Sequence, residues 1–240
     1  MGKIKLDIIL PCYNPIEGWV ETILESVSSI QERLPNTELF LYLVNDGSSQ
    51  GVTSQHVHQL EKELPNFQYL TYSKNGGKGF ALREGIRHSK HDFCIFTDVD
   101  FPYTTESFLR LYEALTTGDA EVVVGHRTER YYDKVPSMRV KISKVFKFFV
   151  RKFFQLPVSD TQCGLKGMRT KGKTVFLQTS TNRYLFDLEF IHFVAKQLPG
   201  KLKAVEVILK PDIVFSSMNF GVLMREGWSF FLIFCKNFFR

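Results

Sequence analysis

The chain has 240 residues, of which 44% are hydrophobic and 23% are charged, and this balance is ordinary for a globular protein. The formal net charge of +6 is unevenly distributed, because the stretch 130–152 alone contains eight Lys or Arg and one acid. A basic stretch that is also rich in Phe argues against nucleic acid as the partner.

Five short apolar runs predict β-strands, and segments with helical periodicity separate them. The strands are expected over 6–10, 39–44, 67–71, 93–96 and 121–124. Strands that alternate with helices predict a mostly parallel α/β sheet in three layers. The alternation stops after residue 126, where the character of the sequence changes.

We therefore expect one domain over 1–215 and a separate C-terminal segment over 216–240. The domain is divided into halves at 1–126 and 127–215. No 18-residue apolar run clearly predicts a membrane-spanning helix.

Two segments combine Phe with basic residues in the manner of helices that lie in a membrane interface. In 139–156, apolar residues recur on one face of a predicted helix while Lys and Arg cluster on the opposite face. In 216–240, six Phe or Trp residues lie between positions 228 and 240. The basic residues of this segment are Arg225, Lys236 and Arg240. The alternative for 139–156 is a helix that packs on the core with a solvated basic face.

The cysteines and the N-terminus predict a reducing, cytoplasmic location. Cys12, Cys94, Cys163 and Cys235 form no Cys-x-x-Cys pair, so we expect neither a zinc site nor a disulfide framework. Met1 is followed almost at once by a predicted strand, without the apolar core of a signal peptide. Together with the basic Phe-rich segments, this predicts a peripheral protein on the cytoplasmic face of a membrane.

Two carboxylates, Asp98 and Asp100, follow the buried strand predicted over 93–96. In an extended chain, residues spaced i, i+2 point the same way, and ligands of open α/β sheets bind at the carboxyl edge. Two like charges held this close repel unless a cation neutralises them. A divalent ion that also binds a diphosphate satisfies this requirement, and a pair of solvated loop aspartates is the alternative.

The other predicted strand ends carry polar clusters as well. Tyr13 and Asn14 follow the first strand, and Asp46 and Gly47 follow the second, where the carboxylate could accept from a nucleobase N–H. The glycine-rich stretch 74–79 opens a helix and offers a place for phosphate, although such a stretch is often simply a turn.

Several of these motifs, in order, resemble a known family. The segments 7–14, 44–48, 75–79 and 98–100 resemble the signature of family 2 inverting glycosyltransferases, which have the A-type nucleotide-sugar fold. Three later segments, 125–127, 160–166 and 186–189, are similar to dolichyl-phosphate mannose synthases and bacterial polyprenyl-phosphate glycosyltransferases.

The resemblance implies roles for individual residues. Asp98 would contact the donor sugar or ribose, and Asp100 would hold Mg²⁺ or Mn²⁺ on the diphosphate, so both are predicted catalytic and metal-binding residues. The predicted donor site consists of Pro11, Tyr13, Asn14, Glu17, Asp46, Gly47, Asn75, Lys78, Gly79 and Asp98. The acceptor phosphate is expected to contact Arg127, Arg130, Arg139 and Lys166.

Two departures from the family pattern concern the nucleotide and the metal. Pro15 and Ile16 stand between Tyr13-Asn14 and Glu17, where the family often has Glu directly. Pro102 stands two residues after Asp100, where mannose synthases tend to have a further ligand. Metal coordination would then depend more on Asp100, the diphosphate and water.

The expected function is metal-dependent, inverting transfer of a hexose from a UDP- or GDP-linked sugar to a polyprenyl phosphate. An acceptor phosphate is already anionic and needs little or no general base, whereas a saccharide hydroxyl would need one. Asp187 and Glu189 are the candidate catalytic bases, or they orient neighbouring loops. The alternatives are a glycosyltransferase with a saccharide acceptor and a non-catalytic module that binds nucleotide sugar or membrane.

Overall fold

The computed structural model describes residues 2–127, 154, 156–158, 160–183 and 185–211. The strands in this part of the chain are β1 (Ile4–Cys12), β2 (Thr37–Asn45), β3 (Phe67–Thr71), β4 (Phe93–Phe96), β5 (Val122–Arg127), β6 (Lys166–Met168) and β7 (Leu202–Val207). The helices are α1 (Trp19–Arg33), α2 (Ser54–Glu63), α3 (Lys78–His88), α4 (Thr105–Thr117), α5 (Thr170–Leu177) and α6 (Phe186–Gln197).

The strands form one mixed sheet in the order β3-β2-β1-β4-β6-β5-β7. Strands β3, β2, β1 and β4 are parallel, which confirms the prediction for the first half. Strand β6 pairs antiparallel with both β4 and β5, and β7 pairs parallel with β5. The sequence pattern did not predict β6, because three residues that include Lys166 and Gly167 show no apolar periodicity.

Apolar side chains on both faces of the sheet make the three layers that the alternation predicted. On one face, Leu6, Ile8 and Leu10 of β1 join a core with α1, α2 and α4. On the other face, Ile9 joins a second core with α3, α5 and α6. Complete burial of each such side chain contributes about 1.5–3 kcal/mol, so β1 is anchored from both sides.

The segment that links the acidic turn after β4 to α4 is fixed by hydrogen bonds. Thr104 caps α4, since its side chain accepts from the N–H of Ser107 at 3.3 Å. The N–H of Thr104 donates to the carbonyl of Ile208 at 3.0 Å, and the N–H of Lys210 donates to the carbonyl of Pro102 at 2.9 Å. The chain after β7 therefore lies against the connection that carries the acidic turn.

The predicted membrane-interface segments lie outside the described residues, except for Phe154 and Leu156 of the first one. The interface helices and the proposed domain boundaries therefore stay predictions. Among the described residues, none of the helices has the length and apolar character needed to cross a membrane.

Candidate active site

Asp98 and Asp100 lie in a tight turn directly after β4. The strand ends at Phe96, and the N–H of Phe101 donates to the carbonyl of Asp98 at 3.0 Å. The expectation of an extended chain through both acids is therefore wrong, although both do lie at the carboxyl edge of the sheet. Phe101 has φ 41°, a left-handed conformation that costs a non-glycine residue energy and is concentrated at functional sites.

The carboxylate of Asp100 is incompletely satisfied. Its Oδ1 is buried and has no hydrogen-bond partner among the described residues. Burial raises the pKa of Asp100, and the like charge of Asp98 raises it further. A buried acceptor without a donor is costly, so this atom is suited to an added ligand such as a cation.

Asp98 pairs with a lysine and lies against a glycine. The ammonium of Lys78, in the first turn of α3, donates to Asp98 Oδ1. A Cβ at Gly164 would lie 2.4 Å from Asp98 Oδ2, so a larger residue there would force this carboxylate to shift. Burial alone would lower the pKa of Lys78, but attraction to Asp98, Asp187 and Asp100 outweighs it and the pKa is raised.

Asp187 forms a buried ion pair with Lys166. Lys166 is fully buried, and its Nζ lies 2.5 Å from Asp187 Oδ1 and also donates to the carbonyl of Cys163. Burial raises the pKa of Asp187 even though Lys166 and Lys78 act in the opposite direction. The ammonium of Lys166 already has two partners and no exposed surface, so the predicted contact with an acceptor phosphate is not supported by this geometry.

Glu189 holds the loop that precedes α6. Its carboxylate accepts from the N–H of Ser180 at 2.9 Å, from the Ser180 hydroxyl at 2.9 Å and from the N–H of Thr181 at 2.7 Å. Arg83 of α3 holds the same loop through Thr179, the carbonyl of Thr181 and Asn182. These contacts favour the alternative in which Glu189 orients a loop, and its catalytic role stays a prediction.

Asp46 organises the glycine-rich loop. Its two carboxylate oxygens accept from the Tyr72 hydroxyl, the Asn75 side chain and the N–H groups of Gly76 and Gly77, at 2.7–2.8 Å. Four donors occupy the lone-pair sites of one carboxylate. The predicted contact of Asp46 with a base stays a prediction, and a base N–H would be a fifth donor.

The N-terminus of α3 is bonded to protein rather than open. The N–H groups of Gly79 and Phe80 both donate to the carbonyl of Asn182, at 2.7 and 3.3 Å. A Cβ at Gly77 or Gly79 would lie 2.5 Å from a carbonyl of this loop, which explains both glycines. The geometry therefore favours the turn interpretation of 74–79 over a phosphate cradle.

The loops after β1 and β2 are joined by Asn14. Asn14 Oδ1 accepts from the N–H of Ser49 at 2.9 Å and of Gln50 at 3.2 Å, while its own N–H donates to the Ser48 hydroxyl at 2.9 Å. The neighbouring Tyr13 is 52% exposed, which leaves its ring available at the sheet edge.

The remaining predicted donor residues differ in accessibility. Pro11 lies in β1 opposite Val44 of β2, and Glu17 is exposed. Gly47 has φ +66°, and a Cβ there would lie 2.7 Å from the N–H nitrogen of Asn75. The tight turn predicted at Gly47 is therefore present.

Arg127 is bound by Asp160, which was named from sequence only as part of the motif over 160–166. Its Nε and one terminal nitrogen donate to the two oxygens of Asp160, at 2.7 and 2.8 Å, in a bidentate pair. Asp160 is buried, and 14% of the Arg127 side chain is exposed. Arg130 and Arg139 lie outside the described residues, so their predicted contact with an acceptor phosphate stays a prediction.

Sequence reasoning missed further residues around the acidic turn. Gly164 lies against the Asp98 carboxylate, and Asn182, which Arg83 holds, accepts from the N–H groups that follow Lys78. The charge of Asp100 acts on Lys210. Burial lowers the pKa of Lys210, against the attraction of Asp100. Only Gly164 was visible beforehand, as part of the motif over 160–166.

Comparison with known proteins finds relatives that match most of the chain. A dolichyl-phosphate beta-glucosyltransferase of Dictyostelium discoideum is 24% identical over 208 residues, which cover 82% of this chain and 64% of that protein. The chain therefore spans less than two thirds of the length of this relative.

Solved structures share the fold at low identity. Mannosyl-3-phosphoglycerate synthase from Rubrobacter xylanophilus has a TM-score of 0.70 at 13% identity, with 98% of this chain and 74% of that chain covered. Glucosyl-3-phosphoglycerate synthase from Mycobacterium tuberculosis, in complex with Mn²⁺, UDP and glucosyl-3-phosphoglycerate, has a TM-score of 0.63 at 14% identity, with 92% and 75% covered. The predicted A-type nucleotide-sugar fold is confirmed.

The family follows from the sequence match itself. Residues 7–173, more than half of the chain, match the family described as Glycosyl transferase family 2. This span contains the acidic turn, the glycine-rich loop and the buried Lys166. The chain belongs to glycosyl transferase family 2.

Proposed function

We propose that this chain transfers a hexose from a nucleotide sugar to a polyprenyl phosphate, with inversion at the anomeric carbon. The observation that carries the proposal is the acidic turn, where Asp98 and Asp100 repel each other and Asp100 Oδ1 has no donor within the described part of the chain. Family membership supports the reaction type, and the name of the Dictyostelium relative supports both the lipid phosphate and glucose as the first sugar to test.

The residues of the turn fit a divalent cation. Two carboxylates lie together, one with a free buried oxygen, and hard cations prefer such ligands. Among the described residues, no group of three or more His, Cys, Asp or Glu could hold a metal alone. Asp98 and Asp100 would therefore share Mg²⁺ or Mn²⁺ with the donor diphosphate and water, and the Mn²⁺- and UDP-bound structural neighbour supports this choice.

The donor site would lie across the ends of β1, β2 and β4. Tyr13, exposed at this edge, could stack on the base, while Asp98 contacts the ribose or sugar. Asp46 shapes the glycine-rich loop that closes the site. The bound cation would offset the charge that develops on the leaving diphosphate, and Lys78 and Lys210 add positive charge beside the two acids.

The environment of Asp187 and Glu189 supports an acceptor that is already an anion. Glu189 accepts three hydrogen bonds from its loop, and Asp187 is paired with buried Lys166. Neither carboxylate is placed as an unengaged base, which a saccharide hydroxyl would need. A phosphate oxygen can attack the anomeric carbon without giving up a proton.

The membrane location is proposed from sequence. The basic, Phe-rich segments 139–156 and 216–240 would place the site against the cytoplasmic face of a membrane, with Lys and Arg at lipid phosphates and Phe among the acyl chains. Arg130 and Arg139 would then meet the acceptor phosphate.

The test is transfer of radiolabelled glucose from UDP-glucose, with GDP-mannose in parallel, to a short polyprenyl phosphate in the presence of Mn²⁺. We expect label to partition into butanol and to depend on both lipid and metal. Label that moves only to an added saccharide would support the saccharide alternative instead. A donor that is neither transferred nor hydrolysed would leave a non-catalytic binding module and refute the proposal.

A further inference from the structure

We propose that Lys78 makes cation binding at the acidic turn depend on the donor diphosphate. In this inference, which rests on the proposed function, the ammonium is an internal counter-cation that neutralises Asp98 until the diphosphate arrives. Lys78 is thus a positioning residue for Asp98.

In the described part of the chain, ammonium groups pair with two of the three acids around the turn. Lys78 donates to Asp98 and Lys166 donates to Asp187, while Asp100 Oδ1 has no hydrogen-bond partner there. A divalent cation that enters without a diphosphate is attracted by the acids but also repelled by these ammonium groups, so its net gain is reduced.

Lys78 competes with a cation for one particular oxygen. Its Nζ donates directly to Asp98 Oδ1. Gly164 lies beside both groups, since a Cβ there would be 2.4 Å from Asp98 Oδ2 and 3.7 Å from Lys78 Nζ. Because Lys78 occupies Oδ1, a cation that binds this oxygen must displace the ammonium or share the oxygen with it.

The ammonium is held by groups outside the turn. Asp187 attracts Lys78 from α6, and the N-terminus of α3 is fixed by the carbonyl of Asn182. Arg83 and Glu189 hold the loop that carries Asn182. The position of Lys78 is therefore set by the fold and does not depend on a flexible surface contact.

Arrival of the diphosphate changes this balance. The diphosphate adds negative charge beside the turn. A divalent cation and the Lys78 ammonium can then each have an anionic partner. Coupling between two ligands is reciprocal, so Mn²⁺ should also tighten nucleotide binding by the same factor. The consequence is that Mn²⁺ and nucleotide bind together, and that the metal binds poorly alone.

The experiment measures Mn²⁺ binding by electron paramagnetic resonance, with and without UDP, in wild type and variants. Wild type should bind Mn²⁺ about tenfold or more tightly with UDP than without it, within the usual range of coupling. Lys78→Met should bind Mn²⁺ without UDP about three- to tenfold more tightly than wild type, since a competing charge is lost from a partly exposed pair.

Matched controls separate local competition from a change in overall charge. Lys74→Met removes the same charge from an exposed position in the same loop and should behave as wild type. Lys78→Arg keeps the charge and should retain the dependence on UDP. Lys78→Gln provides a second neutral variant if Lys78→Met does not give a normal unfolding transition.

Three results would overturn the inference. The first is a wild-type Mn²⁺ affinity that is the same with and without UDP. The second is the same Mn²⁺ affinity in Lys78→Met and Lys74→Met. The third is a weaker affinity of Lys78→Met for UDP without a tighter affinity for Mn²⁺ alone. None of them involves the lipid acceptor. Failure of transfer in the butanol assay, with normal Mn²⁺–UDP coupling, would instead refute the proposed function and leave this inference standing.

Discussion

Two acidic pairs in this fold have the same i, i+2 spacing and opposite surroundings. Asp98 and Asp100 lie in a turn at the sheet edge, where one buried oxygen has no partner among the described residues. Asp187 and Glu189 lie in the first turn of α6, where both are buried and bonded to protein groups. The spacing alone therefore does not distinguish a ligand site from a structural one.

The two pairs differ in whether hydrogen-bond donors or cations satisfy their carboxylates. A buried carboxylate is tolerated when donors or a cation satisfy it, and the pair on α6 has both. In the pair after β4, Lys78 donates to Asp98, whereas Asp100 Oδ1 is a buried carboxylate oxygen without a partner among the residues that the structure describes. This predicts that changes in the α6 pair act on stability, whereas changes in the turn act on ligand binding and catalysis.

The largest expected effect on stability comes from Asp187→Ala. The substitution leaves the buried ammonium of Lys166 without its carboxylate, which costs about 3–5 kcal/mol of unfolding free energy for a buried pair broken on one side. Urea unfolding monitored by circular dichroism measures this loss.

A double variant and a surface pair serve as controls for that prediction. Lys166→Met with Asp187→Leu should recover a large part of the lost stability, because no charge is left buried. Asp119→Ala, which removes the exposed partner of Lys201, should change stability little. Equal losses in the buried and exposed pairs would remove the distinction between the two regions.

The largest expected effect on activity comes from Asp100→Asn. Loss of the metal-binding carboxylate should lower transfer at least about 100-fold, equivalent to about 2.7 kcal/mol of transition-state stabilisation. The unfolding free energy should not fall, because the variant removes the like-charge repulsion from Asp98. Measurement of kcat/KM together with a thermal melt checks both parts. A variant that transfers sugar normally would show that the turn is not the catalytic site.

Some of this architecture was predictable from sequence, for a physical reason. Strands that are largely buried on both faces, such as β1, β4 and β5, appear as continuous apolar runs, so these strands and the location of the acids after β4 could be predicted. Short-range patterns report the period of a strand or helix, and that information is contained within a few neighbouring residues.

The antiparallel β6 and the roles of the α6 acids could not be predicted in that way. Lys166 is separated from Asp187 by 21 positions, and Arg83 from the Asn182 side chain by 99. The identity of a partner across the fold decides whether a carboxylate is satisfied, and no local pattern contains it. The same limit applies to the turn, where Phe101 with positive φ ends the extended chain that the spacing argument assumed.

A smaller stability effect is expected from Glu189→Gln. The amide keeps one acceptor but presents an NH₂ group to donors from Ser180 or Thr181, so the loop loses one or two hydrogen bonds. We expect a loss of about 1–3 kcal/mol in unfolding free energy, with faster proteolysis of the loop. Transfer measured well below the melting temperature should fall much less than in Asp100→Asn, and a comparable collapse would restore Glu189 as a catalytic base.

The smallest expected effect is a pH dependence of stability that belongs to Asp100. Burial and the charge of Asp98 raise the folded-state pKa of this carboxyl above 3.8, the ordinary value. A carboxyl with a raised pKa favours the folded state while it is protonated. Its contribution is therefore fully present below the unfolded-state pKa and is lost as pH rises through the folded-state pKa.

Wild type should accordingly lose stability relative to Asp100→Asn as pH rises from 4, in buffer with EDTA. Urea midpoints of both proteins at a series of pH values measure the difference. Asp119→Asn should show the opposite dependence of stability on pH. The hydrogen bond from Lys201 lowers the pKa of Asp119, so the contribution of this carboxylate to folding stability is lost as pH falls. If the two variants changed with pH in the same direction, the buried, like-charged environment assigned to Asp100 would be wrong.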